Sequence, residues 1–132
     1  MNLDPAPLEA LGLEDWLAVR ANWPAGSPVA VRLPNDADPE VLRGDLVRIA
    51  AIVLEFPKWT DGRAYSQAWL LRARLGYTGE VRATGDVLVD MTPLLRRSGF
   101  DAAVLRAGQS RQAALYAMGF FDGHYQRDAV AG

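Results

Sequence analysis

Residues 50–56, AAIVLEF, are apolar at every position but Glu55 and show no alternation. A strand with one face in water alternates, whereas a continuous apolar run belongs to a strand buried on both faces, as in parallel sheets covered by helices. Pro57 ends the run. Parallel neighbours need long crossovers, usually helical, so this one segment commits the chain to an α/β design.

The flanking sequence supplies the alternation. SPVAVRLP at 27–34 is a β-branched strand between prolines, and DADPEVLRGDLVRI after it opens a helix with Asp38 as N-cap and Pro39 in the first turn. GRAYSQAWLLRARLG at 62–76 sets Ala64, Ala68, Leu71 and Leu75 at helical spacing, with Arg72 and Arg74 on the surface and Gly76 as the stop. GEVRATGD at 79–86 predicts a third strand, and VLVDMTPLLRRSG at 87–99 a helix that breaks or restarts near Pro93. FDAAVLRA at 100–107 predicts a fourth strand, and SRQAALYAMGFFDGHY the last helix. Trp69, Tyr116, Phe120 and Phe121 read as core, and Leu8, Leu11, Trp16 and Val19 as lead-in residues packing on it.

The expected fold is a single α/β domain: a lead-in over 1–27, a core over 28–126 of about four sequential βα units on a mainly parallel sheet, and a tail over 127–132. Right-handed crossovers leave two arrangements, an open doubly wound sheet or a half-barrel-like curl. A half-barrel that dimerises to complete its core makes a homo-oligomer a further expectation.

Composition narrows the function. Fourteen basic and sixteen acidic residues give a net charge of −2, too balanced for affinity resting on a phosphate backbone, so nucleic acid is not an expected partner. The chain has no cysteine, which excludes disulfides, thiolate metal sites and thiol nucleophiles. His124 is the only histidine, too little for a histidine-centred triad or metal cluster. No apolar run approaches the roughly 20 residues of a membrane span and the N-terminus lacks signal-peptide character, so a cytoplasmic protein with no membrane partner is expected.

Ligands of such folds bind beyond the carboxyl ends of the strands. The loops there place Asp36, Glu55, Lys58, Thr60, Asp61, Arg63, Arg82, Thr84, Asp86, Arg106 and Gln109 on one rim. Lys58, Thr60, Asp61, Arg63, Arg82, Asp86 and Arg106 are the candidates for binding an anion or a partner, with Asp61 and Asp86 as the candidate acid/base pair. The plainer reading makes Asp61 and Asp86 N-caps of the helices that follow them. Trp59, if exposed, marks a contact patch. Glu55, Asp61 and Asp86 are hard-cation ligand types, but strand pairing alone brings acids near these positions, and no metal is expected. The glycines of GYTGEVRATG lack dinucleotide or phosphate-loop spacing, so the cofactor is left unassigned.

The stretches FPKWTDGRAYS at 56–66 and LRARLGYTGEVRATGDVL at 71–88, with LRRSGF and a late YQ, resemble the bacterial family DUF934 over roughly residues 30–126. Its motif positions here are Phe56, Pro57, Lys58, Thr60, Asp61, Gly62, Arg63, Tyr65, Ser66, Arg72, Glu80, Arg82, Gly85 and Asp86. Met91 and Ser98 stand where members commonly carry Gln and Cys, which removes thiol chemistry at that point. The resemblance implies a context rather than a reaction: genes of the family accompany those of assimilatory sulfite and sulfate reduction. It implies an accessory protein acting through the rim on sulfite reductase, another sulfur-assimilation enzyme or a small anion. The alternative is a small enzyme acting on a phosphorylated or sulfated metabolite, with Lys58 and Arg63 clamping the anion.

Overall fold

The apolar run is the centre strand of a five-stranded sheet. In the computed structural model, which describes residues 1–119, the strands are β1 (Leu11–Gly12), β2 (Val29–Leu33), β3 (Ile49–Phe56), β4 (Glu80–Gly85) and β5 (Ala102–Ala103). All are parallel and lie in chain order β1-β2-β3-β4-β5. A doubly wound sheet reverses its strand order at a switch point. This order never reverses, so crossovers of one hand step the same way and stack their helices on one face, the half-barrel-like alternative left open at the edges. The fifth strand comes from the lead-in, which forms a βα unit of its own with α1 (Leu13–Val19). At two residues, β1 is too short to register as a strand by periodicity.

The remaining helices are α2 (Arg63–Trp69), α3 (Thr92–Ser98) and α4 (Arg111–Ala117). A π turn over Leu70–Arg74 extends α2, and Gly76, at φ 69°, follows it in the left-handed region. The expected break near Pro93 is present as a 3₁₀ turn over Val89–Met91 leading into α3. The segment Pro39–Arg48 starts at the expected cap, with Asp38 accepting from the Glu40 N–H at 3.0 Å, but it is 3₁₀ rather than α. Its buried residues Pro39, Leu42 and Asp45 recur every third position, and a 3₁₀ helix superposes i and i+3.

In-register residues of parallel strands share a face. Leu33, Leu54, Ala83 and Ala103 lie on the helix side with Val31, Ile52, Phe56 and Val81, and all are buried with Ala64, Ala68 and Leu71 of the α2 segment. Trp16 is fully buried beneath α1; its Nε1–H donates to Asp45 at 3.1 Å and the Arg48 guanidinium sits 5.1 Å from its ring. Leu8 and Val19 do not follow Trp16 inward and remain exposed. Trp69, expected in the core, is 59% exposed because the core side of α2 is filled by the alanines and Leu71. Arg72 is not a free surface cation: it donates to the carbonyls of Gly99, Tyr77 and Gly79 and pairs with Asp101, pinning the end of α2 to the start of β5. Phe120, Phe121 and His124 lie outside the described residues.

The opposite sheet face is crossed by the N-terminus. Asn2 pairs beside Ala102 at the β5 edge, and Leu11 pairs with β2 at the other edge, so residues 3–10 traverse the sheet. Five inter-strand spacings of about 4.8 Å make about 24 Å, within reach of nine extended residues at about 3.3 Å each. Pro5 and Pro7 carry no N–H, which lets the strap cross strands without a ladder. Two strand arginines hold its carbonyls: Arg82 Nη1 donates to Ala6 O at 2.7 Å and Arg32 Nη1 to Ala10 O at 3.4 Å.

Candidate functional site

The loops at the carboxyl ends of β2, β3, β4 and β5 form the expected rim, built around a close approach of two strands. Phe56 and Gly85 are register partners, and the Asp86 N–H donates to Phe56 O at 2.7 Å. A side chain at position 85 would start 2.4 Å from that carbonyl, and φ there is 96°, so only glycine fits. The turn brings Asp86 beneath the loop after β3.

Asp86 does not cap the following helix. One carboxylate oxygen accepts the Trp59 backbone N–H at 2.8 Å and the other accepts Arg106 Nη1 at 2.8 Å, joining the loops of β3, β4 and β5. Asp61 receives the Arg63 guanidinium on both oxygens, the Arg63 backbone N–H at 3.1 Å and Asn35 Nδ2 at 2.9 Å. It thus does part of a cap's work from one residue before the N-cap Gly62, and it joins the loop of β2 to that of β3. Asn35 was missed by sequence reading, which chose its neighbour Asp36; an amide in a turn gives no signal of its own.

Electrostatics follow from this pairing. The Arg63 guanidinium, then its backbone N–H, holds the Asp61 carboxyl far below the usual carboxylate range, and Asp61 in turn raises the pKa of Arg63. Arg106 and then the Trp59 N–H lower the pKa of Asp86. Both acids are anions with their oxygens engaged, which makes them poor proton acceptors near neutral pH. Arg63 and Arg106 are neutralised by the same contacts. Lys58 is exposed and makes no ion pair among the described residues, and Thr60 is likewise exposed.

Other rim candidates lie elsewhere. Arg82 is the third residue of β4, 7% exposed, with Nε on Glu80 at 2.8 Å; strand alternation sets it on the sheet face opposite the helices, where it bonds the strap rather than the loops. Glu55 and Thr84 share that face, Glu55 pairing with Arg32 at 3.3 Å, so Glu55 does not assemble with Asp61 and Asp86. Gln109 accepts the Val89 N–H at 2.7 Å and is structural. Among the described residues no group of three or more His, Asp or Glu side chains is gathered to hold a metal ion, and no helix is long and apolar enough to cross a membrane.

Beside the paired charges lies an apolar groove of about 590 Å³ lined by Trp59, Thr60, Tyr65, Leu88, Asp90, Met91 and Leu94. Trp59 is 54% exposed and Leu94 43%. Tyr65 is fixed from below by an edge-on contact with buried Phe56, ring centroids 5.1 Å apart. The backbone under Trp59 is tethered by Asp86, so the indole stands on a held loop.

A sequentially ordered open α/β sheet with a charge-paired loop rim and a protruding tryptophan defines the class of this protein. Residues 30–132 match a family described as bacterial proteins of unknown function (DUF934), and the chain belongs to that family. No curated protein matches the chain. The strap, β1 and α1 precede the matched region.

Proposed function

We propose that the protein is an accessory, partner-binding protein of assimilatory sulfite and sulfate reduction in the bacterial cytoplasm, and that Trp59 is the centre of its contact surface. The sulfur context comes from the family resemblance; the mode of action comes from the geometry. The observation that carries it is the Asp86 tether: the carboxylate spends one oxygen on the Trp59 N–H and the other on Arg106, so the rim charges serve the loop and leave the indole exposed. Exposed tryptophans on rigid supports are the usual anchors of protein interfaces. Lys58 next to it is available for an acidic group on the partner, with sulfite reductase the first candidate. The same pairing favours this reading over a small enzyme, because the acid/base candidates are locked as anions and Arg63 is already occupied.

Calorimetric titration against purified sulfite reductase tests the proposal. The wild-type chain should bind, Trp59→Ala should weaken binding by about 2 kcal/mol or roughly 30-fold, and Lys58→Ala should weaken it less and more at low salt. Binding unaffected by Trp59→Ala would overturn the surface, and absence of binding by the wild type would overturn the partner.

A further inference from the structure

The groove beside Trp59 carries a single charge, and that charge is unpaired. Asp90 is exposed in its wall and makes no hydrogen bond or ion pair among the described residues. The rim acids differ, since Asp61 holds Arg63 and Asp86 holds Arg106. Those pairs also occupy the arginines of the neighbouring loops, and no Lys, Arg or His side chain contributes to the groove among the described residues. Lys58 lies outside it and forms no ion pair with Asp90.

The rest of the wall is aromatic and apolar. The Trp59 indole is 54% exposed over a tethered backbone, and the half-buried Tyr65 ring is held by Phe56. Buried Met91, whose Sδ accepts the Leu88 N–H at 3.2 Å, is fixed beside them.

The lone carboxylate decides what such a groove accepts. A neutral apolar side chain would strip water from Asp90 and give nothing in return, which costs free energy. An acidic one would meet a like charge. A cation on an apolar stem gains from the carboxylate and from both rings, since a cation within about 6 Å of an aromatic centroid is attracted to it. Arginine suits better than lysine, because its planar guanidinium stacks on a ring while it forks onto a carboxylate. The chain builds the same set within its own fold. The Arg72 guanidinium sits 5.6 Å from the Tyr77 ring and pairs with Asp101, and Arg48 lies over Trp16.

We propose that the groove receives an arginine side chain of the partner protein, its guanidinium pairing with Asp90 and stacking on Trp59 or Tyr65. This rests on the reading of Trp59 as a contact surface and states what that surface contacts.

The test is amide and indole NMR of the full chain titrated with N-acetyl-L-arginine amide, N-acetyl-L-citrulline amide and N-acetyl-L-norleucine amide. Citrulline keeps the shape without the charge, and norleucine keeps only the stem. The arginine derivative should shift the Trp59 indole N–H and the amides of residues 88–94 saturably, with the other two at least about tenfold weaker. An equal response to citrulline or norleucine would make the groove merely apolar and overturn the proposal, as would no saturable response to the arginine derivative. Asp90→Asn, at an exposed position without contacts in the fold, should keep the amide spectrum elsewhere and weaken the arginine derivative about fivefold. Unchanged binding would overturn the assignment. Titrating the same variant against sulfite reductase separates this inference from the reading beneath it. Binding that depends on Trp59 but not on Asp90 overturns the arginine and leaves the surface standing. Binding of the arginine derivative through Trp59 and Asp90, in a chain that does not bind sulfite reductase, removes that partner and upholds the groove.

Discussion

Replacing Arg82 with Met removes the clamp on the N-terminal strap while keeping most of the side chain's packing. The wild-type side chain is 8% exposed, and its guanidinium donates to Glu80 at 2.8 Å and to the Ala6 carbonyl at 2.7 Å. Hydrogen bonds to charged groups contribute about 1.5–3 kcal/mol each. The full sum is not expected, because Glu80 is about one-third exposed and regains water, and removing the guanidinium recovers its own desolvation cost. The net loss should be about 2–3 kcal/mol, a large part of the roughly 5–15 kcal/mol that holds a domain of this size. Urea denaturation measures it as a lower midpoint at nearly unchanged slope. Hydrogen exchange should accelerate first at the Asn2 and Ala103 amides, whose bonds to Asp101 O and Asn2 O fasten the end of the strap. Arg32→Met is the control: that side chain is 48% exposed and its ion pair longer, so it should cost less than about 0.5 kcal/mol. If Arg82→Met came within about 0.5 kcal/mol of wild type with the Asn2 and Ala103 amides exchanging as before, the clamp argument would be refuted.

Gly85→Ala should destabilise the domain by at least about 2 kcal/mol in the same assay, since the left-handed backbone and the Phe56 carbonyl 2.4 Å from the new Cβ both oppose it. Asp45→Ala leaves the buried Trp16 N–H without its acceptor and should cost about 2 kcal/mol. Asp61 and Asp86 have folded pKa values below their unfolded ones, so the stability they contribute is complete above about pH 4 and is lost as pH falls through the folded values. Thermal midpoints between pH 5 and pH 2 should therefore drop less steeply in Asp86→Asn than in wild type. A parallel pair of curves would remove Asp86 from the acid response. Trp59→Ala should leave the unfolding free energy from urea within about 0.5 kcal/mol of wild type, because the indole stands mostly in solvent.

Local chemistry explains which parts of the fold were readable. The β3 run, the Asp38 cap, the Ala64–Ala68–Leu71 stripe and the break before α3 each carry their signal within a few residues, and each is present. Two-residue β1 carries none, and the 3₁₀ register of Pro39, Leu42 and Asp45 differs from α spacing by less than one residue per turn. Trp69 and Arg72 were assigned by residue type, core for the aromatic and surface for the cation. Packing reversed both, because the core side of α2 had room only for small residues and Leu71, and three carbonyls near the end of α2 needed a donor.

For the rim, loop sequence is enough to show that charge gathers at the strand ends, and the absence of cysteine excludes thiol chemistry outright. Alternation along β4 is also a sequence property, yet which face meets the helices is not, so the placement of Arg82 under the strap awaited the sheet. Pairing is a matter of distance between loops far apart in the chain: Asn35 with Asp61, the Trp59 N–H with Asp86, Asp86 with Arg106. Sequence alone determined that this protein is an α/β domain with a charged rim. Tertiary structure decided that Asp61, Arg63, Asp86 and Arg106 satisfy one another and leave Trp59 standing clear, because Coulomb attraction and hydrogen bonding act over a few ångströms of space and take no account of separation along the chain.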